Sequence, residues 1–178
     1  MEGKNFLLQI TPTEHLVNAV VALISPELYS VGMDAIEQLK SGMQLAKQHS
    51  NVDLWPSVFS GLEVIANRRT LPHRDPRAAA PVYDFLLSAG THLEAFLTVN
   101  DIDTQFGYNP GTAIALCGKV LLHEVQGWEG GERVCIAHFI RDGVHNRLNL
   151  RRPDWVAFRP YVELMHREFA QRQGFITL

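Results

Sequence analysis

Apolar positions follow a helical spacing early in the chain and an alternating one through its middle. Thr11-Pro12-Thr13-Glu14 precedes the apolar set Leu16, Val17, Val20, Val21, Leu23 and Ile24. A Thr cap, a Pro at the first helical position and a Glu closing a capping box predict that a helix starts there and is largely buried. Ser25-Pro26-Glu27 predicts a second start, carried by Met33, Ile36, Leu39, Met43 and Leu45 towards Gln48. A polar connection then runs to Trp55 and Pro56, and the character changes. Residues 62–66 read as a strand that continues extended to Pro72, and 77–81 as a small-residue loop. Residues 82–87 fit either a short helix or a strand, whereas 92–99 alternate with period two as a half-buried strand does. Asn109-Pro110-Gly111 is a turn, and strands are expected at 112–117 and 120–125. Gly127-Trp128-Glu129-Gly130-Gly131 reverses the chain into a near-continuously apolar strand at 133–140. Beyond Val144 and His145, Pro153 is expected to open a last helix containing Val156, Phe158, Tyr161, Val162, Leu164, Met165 and Phe169.

Helices, then at least six strands, then a helix, with no strand–helix–strand alternation, predict an α+β protein. Its helices would pack against an antiparallel sandwich or barrel rather than a doubly wound parallel sheet. A length of 178 residues suits a single domain.

Composition narrows this little: 46% hydrophobic and 20% charged residues are ordinary for a globular protein. No apolar run is expected to reach the length of a membrane span, and Met1-Glu2-Gly3-Lys4 does not lead into a signal peptide. An intracellular protein is therefore expected. Cys117 and Cys135 lie in apolar runs and read as reduced core residues; two cysteines are too few for a zinc ribbon. A net charge of −3 argues against wholesale electrostatic binding of nucleic acid. The cations are nonetheless skewed, with twelve Arg against Lys4, Lys40, Lys47 and Lys119. Arg suits bidentate carboxylate and phosphate contacts better than Lys.

The chemistry gathers at His73-Arg74-Asp75. In an extended chain, residues one apart project to the same side, so His73 and Asp75 can supply two ligands of a facial iron triad. The same letters open the catalytic loop of protein kinases, but that pattern needs Leu after the Asp and Asn five residues beyond it. Pro76 and Ala80 stand there, which excludes it. A third ligand must come from elsewhere, and His123, His138 and His145 are the candidates. His123 ranks first: it ends a strand, and Arg133, ten residues on across the glycine-rich turn, can face the same cavity as a cation for an acid co-substrate. His138 is second, because counting by twos from Arg133 puts Cys135, Ala137, Phe139 and Arg141 on the cavity face and turns His138 away.

Asn67-Arg68, Thr70, His73-Arg74-Asp75, the run from Tyr83-Asp84 to Gly90, Pro110-Gly111-Thr112, the run from Leu116 through His123, and Gly131-Glu132-Arg133 through Phe139 together carry a resemblance. The chain resembles the TET/JBP group of Fe(II)- and 2-oxoglutarate-dependent dioxygenases, in particular its fungal branch. The resemblance implies a double-stranded β-helix, or jelly-roll, core at 55–150, with helical support at 1–50 and a C-terminal helix at 151–178. It implies Fe(II) held by His73, Asp75 and His123, with Arg133 on the distal carboxylate of 2-oxoglutarate and Arg68 near that co-substrate. It implies O2-dependent hydroxylation of a methyl group on a DNA base flipped out of the helix, 5-methylcytosine first, and hence a nuclear location. Phe139 would stack on that base and Arg141 reach the base or a phosphate; an ion pair of Arg141 with Asp142 or a neighbour is the competing expectation. Some relatives carry an acid three positions past the metal Asp to read the cytosine amino group; Ala78 stands there, and Asp84 lies too far on to be equated. N6-methyladenine, thymine, RNA or a small molecule remain as substrates, and a jelly-roll binding module without turnover as the reading of another class.

Overall fold

The computed structural model describes residues 2–45 and 51–157, together with 162, 163 and 166. Its first element is helix α1 (Glu2–Ile24), followed after Ser25 by α2 (Pro26–Leu45). The second start is as expected, with Pro26 at the first helical position. The first is not. Pro12 lies inside α1, where it removes one backbone N–H, and the Thr11 hydroxyl donates to the Leu7 carbonyl (2.8 Å) instead of capping. The helix extends upstream because Leu7 already finds the core. Glu14 is likewise not a capping residue: it is buried against the sheet.

By length and composition, Gly3–Ile24 would suffice to cross a membrane, at 22 residues and a mean hydropathy of 1.3, contrary to the sequence expectation. In the structure α1 lies along the protein, with Leu7, Glu14, Val17 and Val21 buried and Leu16 and Leu23 exposed, so it is half-buried rather than largely buried.

Eight strands follow: β1 (Gly61–Ala66), β2 (Thr70–His73), β3 (Asp84–Gly90), β4 (Phe96–Val99), β5 (Thr104–Gly107), β6 (Ala113–Leu116), β7 (His123–Val125) and β8 (Arg133–Phe139). They pair antiparallel as two four-stranded sheets, β1-β8-β3-β6 and β2-β7-β4-β5. This is the double-stranded β-helix, backed by helices on one side. Residues 82–87 resolve as strand from Asp84. The strand expected at 92–99 shortens to β4, because Glu94 takes a left-handed conformation (φ 51°) that breaks the ladder. The strand expected at 120–125 shortens to β7, because the backbone turns on the Cys117 carbonyl through Val120 and Leu121.

Two apolar layers follow from the period-two alternation of the strands. Outward positions Phe85 and Ile140 join Val58, Phe59 and Val82 beneath Val17, Val21 and Leu28 of the helices. Inward positions Leu97, Val99, Leu116, Val125 and Cys135 fill the barrel with Tyr108. A short helix, α3 (Asp142–Leu148), follows β8. Pro153 does not open a helix: residues 151–157 carry no regular structure, and most of the expected C-terminal helix lies outside the described residues. Both cysteines are free and buried.

Candidate metal and co-substrate centre

β2 and β7 bring the two histidines together, since His73 and His123 are register partners across that pair. Their ring centroids stand 4.2 Å apart. Asp75, just past the end of β2, is held by its own backbone N–H on the Gly118 carbonyl (2.9 Å). Its Oδ1 lies 3.8 Å from His73 Nε2 and its Oδ2 3.6 Å from His123 Nε2. One donor atom from each of the three falls within 4.8 Å of the others. Donors ~2.1 Å from a shared ion and mutually at right angles stand ~3 Å apart, so a small closing suffices.

The tautomers suit a metal. His73 Nδ1 faces the Leu71 carbonyl at 3.0 Å and His123 Nδ1 faces the Leu121 carbonyl at 2.9 Å. A carbonyl only accepts, so each Nδ1 carries the proton and each Nε2 presents a lone pair to the site. Burial lowers the His123 pKa, and the Asp75 carboxylate only partly opposes it, which favours the neutral ligand form. Arg74 points the other way: its guanidinium pairs with Asp101 at 2.9 Å and its Nε donates to the Val120 carbonyl. Among the described residues no other histidine joins the cluster. His92 donates to the Tyr108 carbonyl in the barrel core, His138 pairs with Glu14, and His145 is buried in α3.

Arg133 begins β8 on its inward face and is only 2% exposed. Its guanidinium carbon lies 5.3 Å from the Tyr108 ring centroid and 5.8 Å from that of Trp128. One terminal nitrogen donates to the Arg68 carbonyl (3.2 Å), while Nε has no acceptor. Among the described residues no carboxylate pairs with it. A buried guanidinium held by aromatic faces, with an orphan donor and no counter-charge, fits an anionic ligand in the cavity that it shares with the triad. Asn67 fixes its backbone: the side-chain oxygen accepts from Arg133 N–H (2.9 Å) and the Asn67 N–H donates to Arg133 C=O (2.8 Å). Tyr108 and Trp128 escaped the sequence reading; an aromatic in a loop carries no local sign that it will meet a cation. Arg68 lines the cavity, and its exposed guanidinium sits 3.6 Å from Glu63.

The inward count along β8 holds, with Cys135, Ala137, Phe139 and Arg141 all lining the cavity. Phe139 lies across Gly61, its register partner, where a Cβ would fall 2.1 Å from the ring. The Arg141 guanidinium stacks on that ring at 4.1 Å from its centroid. Arg141 does not pair with Asp142, which is taken by Arg152 at 2.8 Å. Asp84 and Ala78 also line the cavity. Burial and the neighbouring Asp75 carboxylate push the Asp84 carboxyl up to about 8, against the pull of Arg141.

A model of the Tet_JBP family, the oxygenase domain of the 2OGFeDO superfamily, matches residues 1–142. The chain belongs to the TET/JBP oxygenases. It is a 2-oxoglutarate-dependent dioxygenase domain, a superfamily that uses Fe(II) and 2-oxoglutarate. Among solved structures it is similar to NgTET1 in complex with 5mC DNA, at 17% identity and a TM-score of 0.47. That alignment covers 57% of this chain and 41% of the other. No curated protein matches. The histidine–aspartate–histidine cluster could hold a metal ion, and the aromatic-flanked guanidinium lines the same cavity.

Proposed function

We propose that this domain holds Fe(II) on His73, Asp75 and His123, binds 2-oxoglutarate against Arg133, and hydroxylates the methyl group of a methylated base in DNA. The expected conversion is 5-methylcytosine to 5-hydroxymethylcytosine and further oxidised forms, which would place the protein in the nucleus. The bound metal and co-substrate supply oxidation of an unactivated C–H bond when O2 is present. The chain's own residues bind and orient. The two Nδ1–H donors fix the ligand rings, Arg133 aligns the co-substrate, and the apolar barrel wall excludes water.

The observation that carries the substrate reading is Phe139. A flat ring beside the triad, bedded on Gly61 and already covered by a guanidinium, is a stacking platform that a planar base can take over from Arg141. Displaced, Arg141 has a second place to go: an open groove bordered by Pro76, Arg77, Lys119 and Gly143 adjoins the cavity at Ala78 and Arg141. These cations supply a local phosphate grip on a chain of net charge −3. That same net charge favours single strands or a small substrate as the second reading.

The test is mass spectrometry of nucleosides after incubation with Fe(II), 2-oxoglutarate and duplex DNA carrying 5-methylcytosine, N6-methyladenine and thymine. Single-stranded RNA and free bases run alongside. New hydroxymethylcytosine with matching succinate is the expected result. Succinate release that no methylated DNA stimulates would sink the reading.

A further inference from the structure

Val17 and Val21 turn one side of α1 to the barrel, and the opposite side carries an exposed apolar stripe. Leu8, Leu16 and Leu23 are 53%, 66% and 55% exposed, and Pro12 and Ala19 between them are exposed as well. From Leu8 these five follow one another at spacings of four, four, three and four residues. That spacing keeps side chains on one side of a helix and forms the seam along which a second helix packs. From Asn5 to Ser25 the only charged residue is Glu14, and it is buried on His138. A solvated helix face ordinarily carries charges. This one carries none.

The stripe reads nearly alike in both directions. Laid antiparallel on its own copy, about a two-fold axis beside His15 and Leu16, Leu8 falls opposite Leu23, Pro12 opposite Ala19 and Leu16 opposite His15. Leucines meet at both ends, small residues meet between, and each His15 faces a leucine rather than its own copy. The same register carries the exposed Lys4 to the far end of the partner helix, where Glu27 stands at the turn into α2. Glu27 Oε2 accepts from the Asp154 N–H, but Oε1 has only Arg151 at 3.7 Å and is open to a second cation. A lipid surface suits the stripe less well. Helices that lie on membranes flank their apolar face with Lys and Arg, and α1 offers Lys4 alone.

We propose that the exposed stripe of α1 is a homodimer interface, packed antiparallel on α1 of a second copy of this chain through Leu8, Leu16 and Leu23. The helices cover the outer face of the sheet that carries Arg133, and the cavity lined by His73, Asp75 and Arg133 lies on its inner face. The dimer therefore sets two barrels back to back with both cavities clear of the interface. The inference is independent of which substrate those cavities take. One helix pair between otherwise separate domains is a small interface, with a Kd on the order of micromolar.

The experiment is sedimentation velocity of the full chain from about 1 to 200 µM, a range that brackets such a Kd. Leu16→Glu, Lys4→Glu and the control Leu93→Glu, at an equally exposed leucine away from α1, run alongside, each checked by circular dichroism. The wild type and Leu93→Glu are expected to pass from monomer to dimer across the range. Leu16→Glu, which sets two carboxylates beside the axis, is expected to stay monomeric. Lys4→Glu is expected to raise the Kd about tenfold, because a two-fold axis makes the like-charge contact with Glu27 twice. A wild type that stays monomeric throughout overturns the proposal, whatever covers the stripe. So does a dimer that Leu16→Glu leaves intact, or one that Leu93→Glu abolishes as fully. Loss in Leu16→Glu with no change in Lys4→Glu overturns the antiparallel register. Flotation with phosphatidylcholine–phosphatidylserine vesicles closes the test: a monomeric wild type that floats, beside a Leu16→Glu variant that does not, makes lipid the occupant and overturns the dimer.

Discussion

His73 and His123 meet as register partners on β2 and β7, and each gives its Nδ1 proton to the carbonyl two residues earlier in the chain. The two rings are thus held by the same local device and aim the same nitrogen at Asp75. A pair of ligands oriented by backbone rather than by other side chains is hard to disturb except at the ligands themselves. His73→Ala, Asp75→Ala and His123→Ala should each abolish measurable Fe(II) binding by anaerobic calorimetry, while circular dichroism stays that of the wild type.

Gly118 offers an indirect route to the same site. A methyl group there would press on the Oδ2 atoms of both Asp75 and Asp84. Gly118→Ala should weaken metal binding by about 10–100-fold, as loss of outer support for a ligand does. Equal affinity in wild type and variant by Mn(II) titration would show that the loop moves freely and that Asp75 does not depend on it.

Arg133 is expected to govern the co-substrate and not the metal. Arg133→Ala removes a charge-assisted contact worth about 2–3 kcal/mol, or roughly 100-fold in the Kd for 2-oxoglutarate. Arg133→Lys keeps the charge but loses the planar fork that Tyr108 and Trp128 flank, and should fall between. Equilibrium binding of 2-oxoglutarate with Mn(II) in place measures both.

The helices are pinned to the barrel by a fully buried contact, His138 Nε2 to Glu14 Oε1 at 2.8 Å, with His138 Nδ1 donating to the Phe85 carbonyl. Glu14→Ala would leave that histidine without its partner in an apolar layer. A loss of about 3 kcal/mol is expected, seen as a fall in Tm of roughly 6–12 °C. Metal affinity should not change, because His138 faces the helices and not the triad.

His145 makes stability sensitive to mild acid. Burial in α3, and then the Arg152 charge, lower its pKa against the pull of Asp142, and neither ring nitrogen has a partner. Its folded value therefore lies below the unfolded one of about 6.5. Stability is complete above that value and is lost as pH falls from there towards the folded value, since the unfolded chain binds the proton more readily. Thermal melts between pH 7.5 and 5.5 should show a steeper loss for the wild type than for His145→Gln. Parallel slopes would remove His145 from the account.

Much of this was legible in the chain itself, because it depends on neighbours in sequence. The period-two pattern located β1 and β8 to within a residue or two, counting by twos along β8 placed Cys135, Phe139 and Arg141 on the cavity side of Arg133, and Pro26 marked the start of α2. His73 and Asp75 share a side of an extended segment, so two members of the His73, Asp75 and His123 cluster were readable locally. Where local signals met tertiary demands, tertiary packing prevailed. Thr11-Pro12-Thr13-Glu14 has every mark of a helix start, yet burial of Leu7 and the pairing of Glu14 with His138 keep it inside α1. β5 is short, polar and exposed, and only its pairing with β4 makes it a strand. Arg141 beside Asp142 suggested an ion pair, but Arg152 reaches that carboxylate and leaves Arg141 to Phe139.

The sequence by itself determined the strand faces, the two-ligand segment and the family. Only the tertiary structure decided that His123 is the histidine facing Asp75, that Tyr108 and Trp128 flank Arg133, and that Asp84 is buried against Asp75. Sequence patterns report the direction in which a side chain leaves its own strand. They carry no record of which strand lies opposite, and each of these contacts is made between strands or loops far apart in the chain.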